Sequence, residues 1–546
     1  MSSLPALVEL EGRIIRLYRL IELESTSPVR RAYLQTQLEN LAAQPELFQY
    51  LLNDPIKVNE EQWRPLSPTV SAVTTCFLAM NAITTTTATT VSITFEIIQT
   101  CECACVFLPR AFKWIPFLHP AYGTLPYHPV HNRTLVNALQ AMYRYGRGIP
   151  SFRDQSATLC GYIASLWAFH IIHPECDTPS GAACRPSEGL AICVLDMLRP
   201  KGAESSAYPD MARLTSAVRT ELLRAMQRSP RRIFVQLLLF AFTLLERGRA
   251  ALDSGFAILN LHVRTIELLV RQVFPSMRHS PNIVRLVVGI VRLAPCPRVA
   301  EAGCDLLIAI CEMASGYYPL RWALRFDIVD AVRCNSHVTP TNLFGYIAVR
   351  TTSRSVMEVL SHQDESSVLI GKDLTDDVSL AMEFDSIIRD RLKVYRMAGN
   401  KARCAMSPKA HWPNHKLYCL WRMDSHPDYD ESPADSGYVL LHIIHYVLSD
   451  RGRSLLQALR RAEAEDRLNR GTRELSVEIS LDQFPPAHTI VIKKRDGCLQ
   501  EESVLKLQMK VYLRQYTTAT MQPRSLRTFM ATVQAVSDTL EVADAN

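Results

Sequence analysis

A chain of 546 residues exceeds the roughly 250–300 residues at which a single core stops growing, so several domains or an extended array are expected. Hydrophobic residues at 48 % and charged residues at 21 % exclude the polar signature of disorder. A net charge of +6, spread over 60 basic and 54 acidic side chains, gives no reason to expect a nucleic-acid or membrane partner.

The opening MSSLPALVELEGR interleaves acid and base without a secretory leader pattern, and the 15 cysteines make an odd count. Both predict a reducing, intracellular setting, cytoplasmic or nuclear. In that setting the triplet Asn132-Arg133-Thr134 carries no glycan.

In chain order, apolar residues spaced by three and four predict helices over Ala6–Glu22, Arg30–Leu52, Leu135–Tyr145, Gln155–His173 and Met211–Gln227. They continue over Arg232–Arg247, Ala257–Phe274, Asn282–Leu293 and Val299–Ala314. Stops such as Phe274-Pro275, Ser280-Pro281 and Ala294-Pro295 separate them, because proline ends one helix and frees the next to start. The uncharged run between Arg64 and Glu96 is rich in Thr and broken by Pro65 and Pro68. It reads as part of a core, as does the shorter run Phe234–Leu245.

Short loops and strongly apolar helices over 230–315 favour an armadillo- or HEAT-like array. Residues 1–360 are accordingly expected to form a helical, solenoid-like region. A polar break at His362–Ser367 and Lys372–Asp377 marks its end. Near the C-terminus, Val439–Leu448 and Ser454–Leu468 read as helices. The period then drops to two in Leu475, Val477, Ile479 and Leu481, and again in Leu505, Leu507, Met509 and Val511, with Thr489–Ile492 as a third strand. Residues 437–546 are therefore expected to be α+β, closed by a helix over Pro523–Leu540.

Between these regions lies KARCAMSPKAHWPNHKLYC, residues 401–419. On a short helix starting at Pro408, His411, His415 and Cys419 recur every four residues and share a face. Imidazole and thiolate are the ligands zinc prefers, but a structural site needs four, so others must come from elsewhere. Cys404 is the local candidate. The run Lys409-Ala410-His411-Trp412-Pro413-Asn414-His415-Lys416-Leu417-Tyr418-Cys419 resembles the end of a MYND finger, a cross-braced zinc module ending in Trp-x2-His-Lys-x2-Cys. The resemblance implies that His415 and Cys419 ligate one zinc. Arg403 stands where the finger has a cysteine, with Cys404 one place late, and Ser407 replaces its partner. The two earlier cysteine pairs are missing from 372–401. Residues 376–422 are thus expected to be a degenerate MYND-like segment in which His415, Cys419 and Cys404 form at most a residual site. No cofactor is expected, unless distant ligands complete a zinc site.

Other constellations carry less. Cys101, Cys103 and Cys105, with His119, His128 and His131 downstream, share a face only if extended, and buried free cysteine is common. Arg333-Cys334-Asn335-Ser336-His337 is a reordered version of a motif in SET-MYND methyltransferases. The phosphate-loop, nucleophile-elbow and His-Glu-x2-His motifs do not occur in the sequence. His442 and His445, on an apolar helix, read as core histidines. The Arg228, Arg231, Arg232 cluster reads as a solvated helix start.

The chain is thus expected to be mainly α: a helical array, a degenerate MYND-like segment and a small α+β region. It is similar to fungal MYND-type proteins, in which the finger is an interaction module. That resemblance implies an intracellular scaffold that binds protein partners, and neither nucleic acid nor membrane. A MYND-associated methyltransferase and a transcriptional regulator are the alternatives. The oligomeric state is left open by the sequence.

Overall fold

The structure, a computed structural model, describes residues 27–42, 112–122, 127–146, 153–177, 186–199, 211–226, 229–250, 254–314, 316–333, 341–363, 378–405, 422–424, 442–468, 473–481, 484–494, 506–514 and 517–522, with a few isolated positions. The protein is mainly helical. It divides into two compact units, Met1–Leu286 and Val287–Asn546.

The first unit contains α1 (Pro28–Ala42), α2 (Pro129–Gly146), α3 (Arg153–Ile172), α4 (Pro186–Leu198), α5 (Met211–Met226), α6 (Pro230–Ala250) and α7 (Ser254–Leu268). Next comes α8 (Pro281–Leu293), within which the division between the units falls. All of these except α3, α5 and α7 begin on a proline. Proline is at home in the first helical turn, where its missing N–H would have had no partner and its fixed φ already suits a helix. Helix α7 ends by widening into a π-turn over Leu269–Val273, closed by the Phe274 N–H on the Leu269 carbonyl at 2.9 Å, immediately before Pro275.

Helix α3 is the centre of this unit. From Leu159 to Ile171 nearly every side chain is buried, Trp167 and Ile163 completely, as expected for a helix that is apolar all round. It packs against α2, α4, α5 and α6. The approach to α5 is close because position 161 has no side chain. A Cβ on Gly161 would lie 2.8 Å from Glu221 Cγ and 3.2 Å from the Ala217 carbonyl oxygen.

The second unit continues with α9 (Pro297–Met313), α10 (Tyr318–Arg325), α11 (Ile328–Arg333), α12 (Thr341–Arg350), α13 (Arg354–Ser361) and the long α14 (Val378–Ala405). Helix α9 packs on α12, α10 on α13, and α14 on both α12 and α13. The contacts between α10 and α13 run in parallel: Arg321 faces Glu358 at 3.8 Å, and one to two turns on, Gln363 donates to the Leu324 carbonyl at 2.6 Å and to Asp327 Oδ1 at 3.2 Å. Asp327, at φ 58°, ends α10 in the left-handed region that aspartate tolerates better than most residues.

A five-stranded sheet follows, in the order β1-β5-β4-β2-β3. Its strands are β1 (Arg422–Asp424), β2 (Arg473–Ser480), β3 (Ala487–Lys494), β4 (Lys506–Arg514) and β5 (Thr517–Gln522). The pairing is antiparallel except between β2 and β4, which align Val477 with Met509 and Ile479 with Val511. Val477, Ile479 and Leu481 are buried while Ser476, Glu478 and Ser480 are partly exposed, the inside-outside alternation of a half-covered strand. A helix over 442–448 and α15 (Arg453–Leu468) belong to the same unit. Phe484-Pro485, before β3, is a cis peptide.

The expected helices and the three expected strands are present where the described residues cover them, with ends shifted by a few positions. Helix α4 and the helices from α10 to α14 are additional. Helix α4 is buried around most of its surface, Leu190, Val194 and Leu198 included, so it shows no polar stripe. Helices α10 to α13 span 6–10 residues, shorter than the window of about 11 or more residues over which a helical period is read. Strand β5, TTATMQ, has no apolar alternation to detect.

The turn joining 442–448 to α15 depends on Gly452. A Cβ there would sit 2.0 Å from the Tyr446 carbonyl oxygen and 2.7 Å from Val447 Cα, and neither backbone atom can swing aside. Gly452→Ala is expected to destabilise the second unit by about 2–3 kcal/mol. Faster hydrogen exchange over 442–468 would reveal it, and an unchanged pattern would show that the turn can relax.

Candidate functional site

Of the three metal-ligand candidates, His415 and Cys419 lie outside the described residues. Cys404 occupies the last turn of α14, which continues as one helix through Ala405. Cys101, Cys103 and Cys105 also lie outside the described residues, as do Cys334 to His337. Among the described residues no group of three or more His, Cys, Asp and Glu side chains is arranged to hold a metal ion.

His119, His128 and His131 are described. The rings of His128 and His131 meet at a tilt of 42° at the start of α2, with centroids 4.8 Å apart. His119 is completely buried among α3 and α5 residues beside Ser165, with Glu221 reached through Tyr122, a serine–histidine–carboxylate grouping that invites comparison with a catalytic array. Its Nδ1 accepts the Ala121 N–H at 3.2 Å, which assigns the ring proton to Nε2. That nitrogen faces Ser165 Oγ at 2.9 Å and the Tyr162 carbonyl at 3.3 Å. The Ser165 hydroxyl in turn donates to the Tyr162 carbonyl at 2.9 Å.

A nucleophilic serine needs an imidazole nitrogen that accepts its proton, and here the imidazole donates to the serine. The Tyr122 hydroxyl donates to Glu221, and Arg224 lies over the Tyr122 ring at 4.3 Å. Burial, reinforced by the Glu221 carboxylate, pushes the Tyr122 phenol well above its ordinary range. The group is a polar brace between α3 and α5, with every proton committed to an internal acceptor.

A second brace forms around Asp177, which is 1 % exposed. Its Oδ1 accepts the Ser187 N–H at 2.9 Å and its Oδ2 accepts the Ser187 hydroxyl at 2.7 Å. Arg247, on α6, lies 3.8 Å from Oδ2, and His170 Nδ1 lies 3.9 Å from Oδ1. The carboxylate thus caps the N-terminus of α4 from ten residues away. It supplies an acceptor to a first-turn N–H and a negative charge to the positive end of the helix.

In the second unit, Arg391 of α14 is 6 % exposed. Its guanidinium donates to the Ala348 carbonyl, to Thr351 Oγ1 at 2.7 Å and to the Val349 carbonyl at 3.5 Å. It therefore fills the role of a cap for the last carbonyls of α12. A small cavity of about 40 Å³ beside it is lined by Asp390, Arg391, His442, Tyr446 and Arg451 among others. That volume accommodates about one water molecule and is far below the several hundred Å³ of a metabolite site. Tyr446 meets His488 Nδ1 at 2.8 Å, and Ser454 meets the other ring nitrogen at 3.1 Å, which ties 442–448 and α15 to β3.

His442 is buried against Arg391, as its position on an apolar helix predicted. Burial, aided by the Arg391 charge, pulls its pKa well below the ordinary value. Within the first unit, burial also lowers His119 to about 3, and His170 and His262 each to about 4.

These shifts set the acid stability of the first unit. Each ring is neutral in the fold, while the unfolded chain takes up a proton near pH 6.5. The folded pKa is the lower one, so the unfolded state binds more protons in between. Stability is fully present above about pH 6.5 and falls as the pH drops toward 4. Each such histidine contributes a slope of up to about 1.4 kcal/mol per pH unit. Denaturant midpoints for the first unit should accordingly fall steeply between pH 6.5 and 4.5. A flat profile across that window would show that these rings are solvated.

Sequence reasoning located His119 and His442 but missed Asp177 and Arg391. Neither has a local signature, because a cap supplied from another element depends on where the chain returns. Comparison with protein-family models, curated proteins and solved structures found no match for this chain.

Proposed function

We propose that the chain is a protein-interaction platform, an armadillo- or HEAT-like helical array with a degenerate MYND-like segment over 376–422. The observation that carries this reading is the stacking in the second unit. Helix α9 packs on α12 and α10 on α13, and the paired helices start at Pro297 and Thr341, and at Tyr318 and Arg354. The spacing of roughly 40 residues is that of armadillo and HEAT repeats, whose ridges offer extended binding surfaces. The buried polar clusters support it from the other side, since each spends its donors on helix ends and helix packing. His415, Cys419 and Cys404 would hold zinc weakly or not at all, because a site short of ligands loses most of its binding energy.

Affinity capture with the full-length protein is expected to return a stoichiometric protein partner. The reading fails if no such partner is found while the purified protein binds S-adenosylmethionine and turns over a methyl acceptor. Zinc content measured on untagged protein, with Cys419→Ser alongside, addresses the segment separately. One zinc per chain that is lost in the variant would overturn the degenerate reading of the finger.

A further inference from the structure

The outer face of α10 has the composition of a binding hot spot. Pro319, Leu320, Ala323 and Leu324 are buried, so the opposite side carries Tyr318, Arg321, Trp322 and Arg325, which recur at helical spacing. Tyr318 is 63 % exposed, its ring lies 6.3 Å from that of Trp322, and the Arg321 guanidinium sits 6.0 Å from the Tyr318 ring centroid. Tyrosine, tryptophan and arginine are the residues most enriched where binding energy concentrates.

The charges are incompletely matched. Arg321 meets Glu358 only at 3.8 Å, and its Nε is buried without an acceptor. Arg325 is exposed, and Arg354, at the start of the neighbouring α13, is partly exposed. Because α10 and α13 run in parallel, Arg354 stands at the Tyr318 end of the stripe and Arg325 at the other. Among the described residues the carboxylates beside this face are Glu358 and Asp327, fewer than the three arginines.

We infer that the Tyr318–Arg325 face of α10, with Arg354 beside it, is the docking surface for an acidic protein segment. Carboxylates of the partner would pair with the arginines while an apolar or aromatic side chain packs on Tyr318 and Trp322. The inference rests on the platform reading and assigns it a surface and a partner chemistry.

A library of random dodecapeptides displayed on phage, selected on the full-length protein, tests it. The expected result is enrichment of peptides rich in Asp and Glu around an apolar residue. Their affinity should fall by about tenfold or more in Tyr318→Ser and Arg325→Glu, both substitutions of exposed side chains. Arg298→Glu, the same charge change at an exposed position on α9, should leave binding intact. Enriched peptides without an acidic excess, or peptides that bind both stripe variants as well as the parent, would overturn the assignment.

An oligothymidylate that binds the parent and loses about tenfold in the same variants, with no peptide enriched, would reassign the stripe to single-stranded nucleic acid, which also stacks on aromatics beside arginine. A stoichiometric partner captured equally by parent and stripe variants would refute this surface while leaving the platform standing. Absence of any stoichiometric partner would remove the platform itself.

Discussion

Asp177→Ala is expected to destabilise the first unit by about 3–5 kcal/mol, an effect of the size seen when one partner of a buried charged network is removed. The carboxylate is almost fully buried, and it satisfies the Ser187 N–H and hydroxyl at 2.9 and 2.7 Å while facing Arg247 at 3.8 Å. Alanine leaves a first-turn donor of α4 and a partly buried guanidinium without their anion, and exposes the helix end to the cost of an uncapped N-terminus. Asp177→Asn keeps one carbonyl acceptor but no charge, and is expected to lose about 1–2 kcal/mol. The chain has two compact units, so a single unfolding midpoint is not a clean measure. Hydrogen exchange over 153–198 reads the unit directly. Equal losses in the two variants would show that charge is irrelevant at this position. No loss in either would mean that α4 is held by its apolar face alone.

Arg391→Met should weaken the second unit by about 2 kcal/mol. Methionine fills much of the volume but offers no donor, so the Ala348 and Val349 carbonyls and Thr351 Oγ1 each lose one buried partner, while the carbonyls keep the Thr351 and Thr352 hydroxyls at 2.6 and 2.9 Å. The loss is that of charge-assisted bonds in a low-dielectric interior, where each counts for more than in water. Arg391→Lys retains a cation near the negative end of the helix and should recover part of the loss. Loss of the guanidinium also removes a positive neighbour of His442, so the His442 pKa should rise toward the ordinary range. The check is hydrogen exchange over 341–363 together with titration of His442 by NMR. If the exchange rates are unchanged in Arg391→Met, the Thr351 and Thr352 hydroxyls satisfy the α12 carbonyls by themselves and Arg391 is not a cap.

Both residues perform the same task, closing the end of a helix contributed by another part of the chain. This accounts for polar side chains that lie inside the fold beside helix ends. In a stack of short helices, many backbone ends fall within the fold, and each must find a donor or acceptor there. The histidines extend the same economy: His262 Nε2 donates to the Leu237 carbonyl at 2.8 Å and joins α7 to α6.

What the sequence determined by itself was the element inventory wherever a period was long enough to read. Gln155–His173 and Met211–Gln227 correspond to α3 and α5, and Leu475–Leu481 and Leu505–Val511 correspond to β2 and β4, because burial on one face or all faces writes itself into local spacing. The prolines added the helix starts, since their effect on φ and on the missing N–H is purely local. The tertiary structure alone decided the rest. Helices α10 to α13 are too short to be stable alone, and exist because they pack on one another and on α9 and α14. The parallel alignment of β2 with β4 spans an intervening hairpin strand, and no local pattern encodes such a pairing. Asp177, Arg391 and the proton on His119 Nε2 acquire their roles from atoms that are distant in sequence. Hydrogen bonding and burial at those positions are properties of the packed chain, so only the fold could assign them.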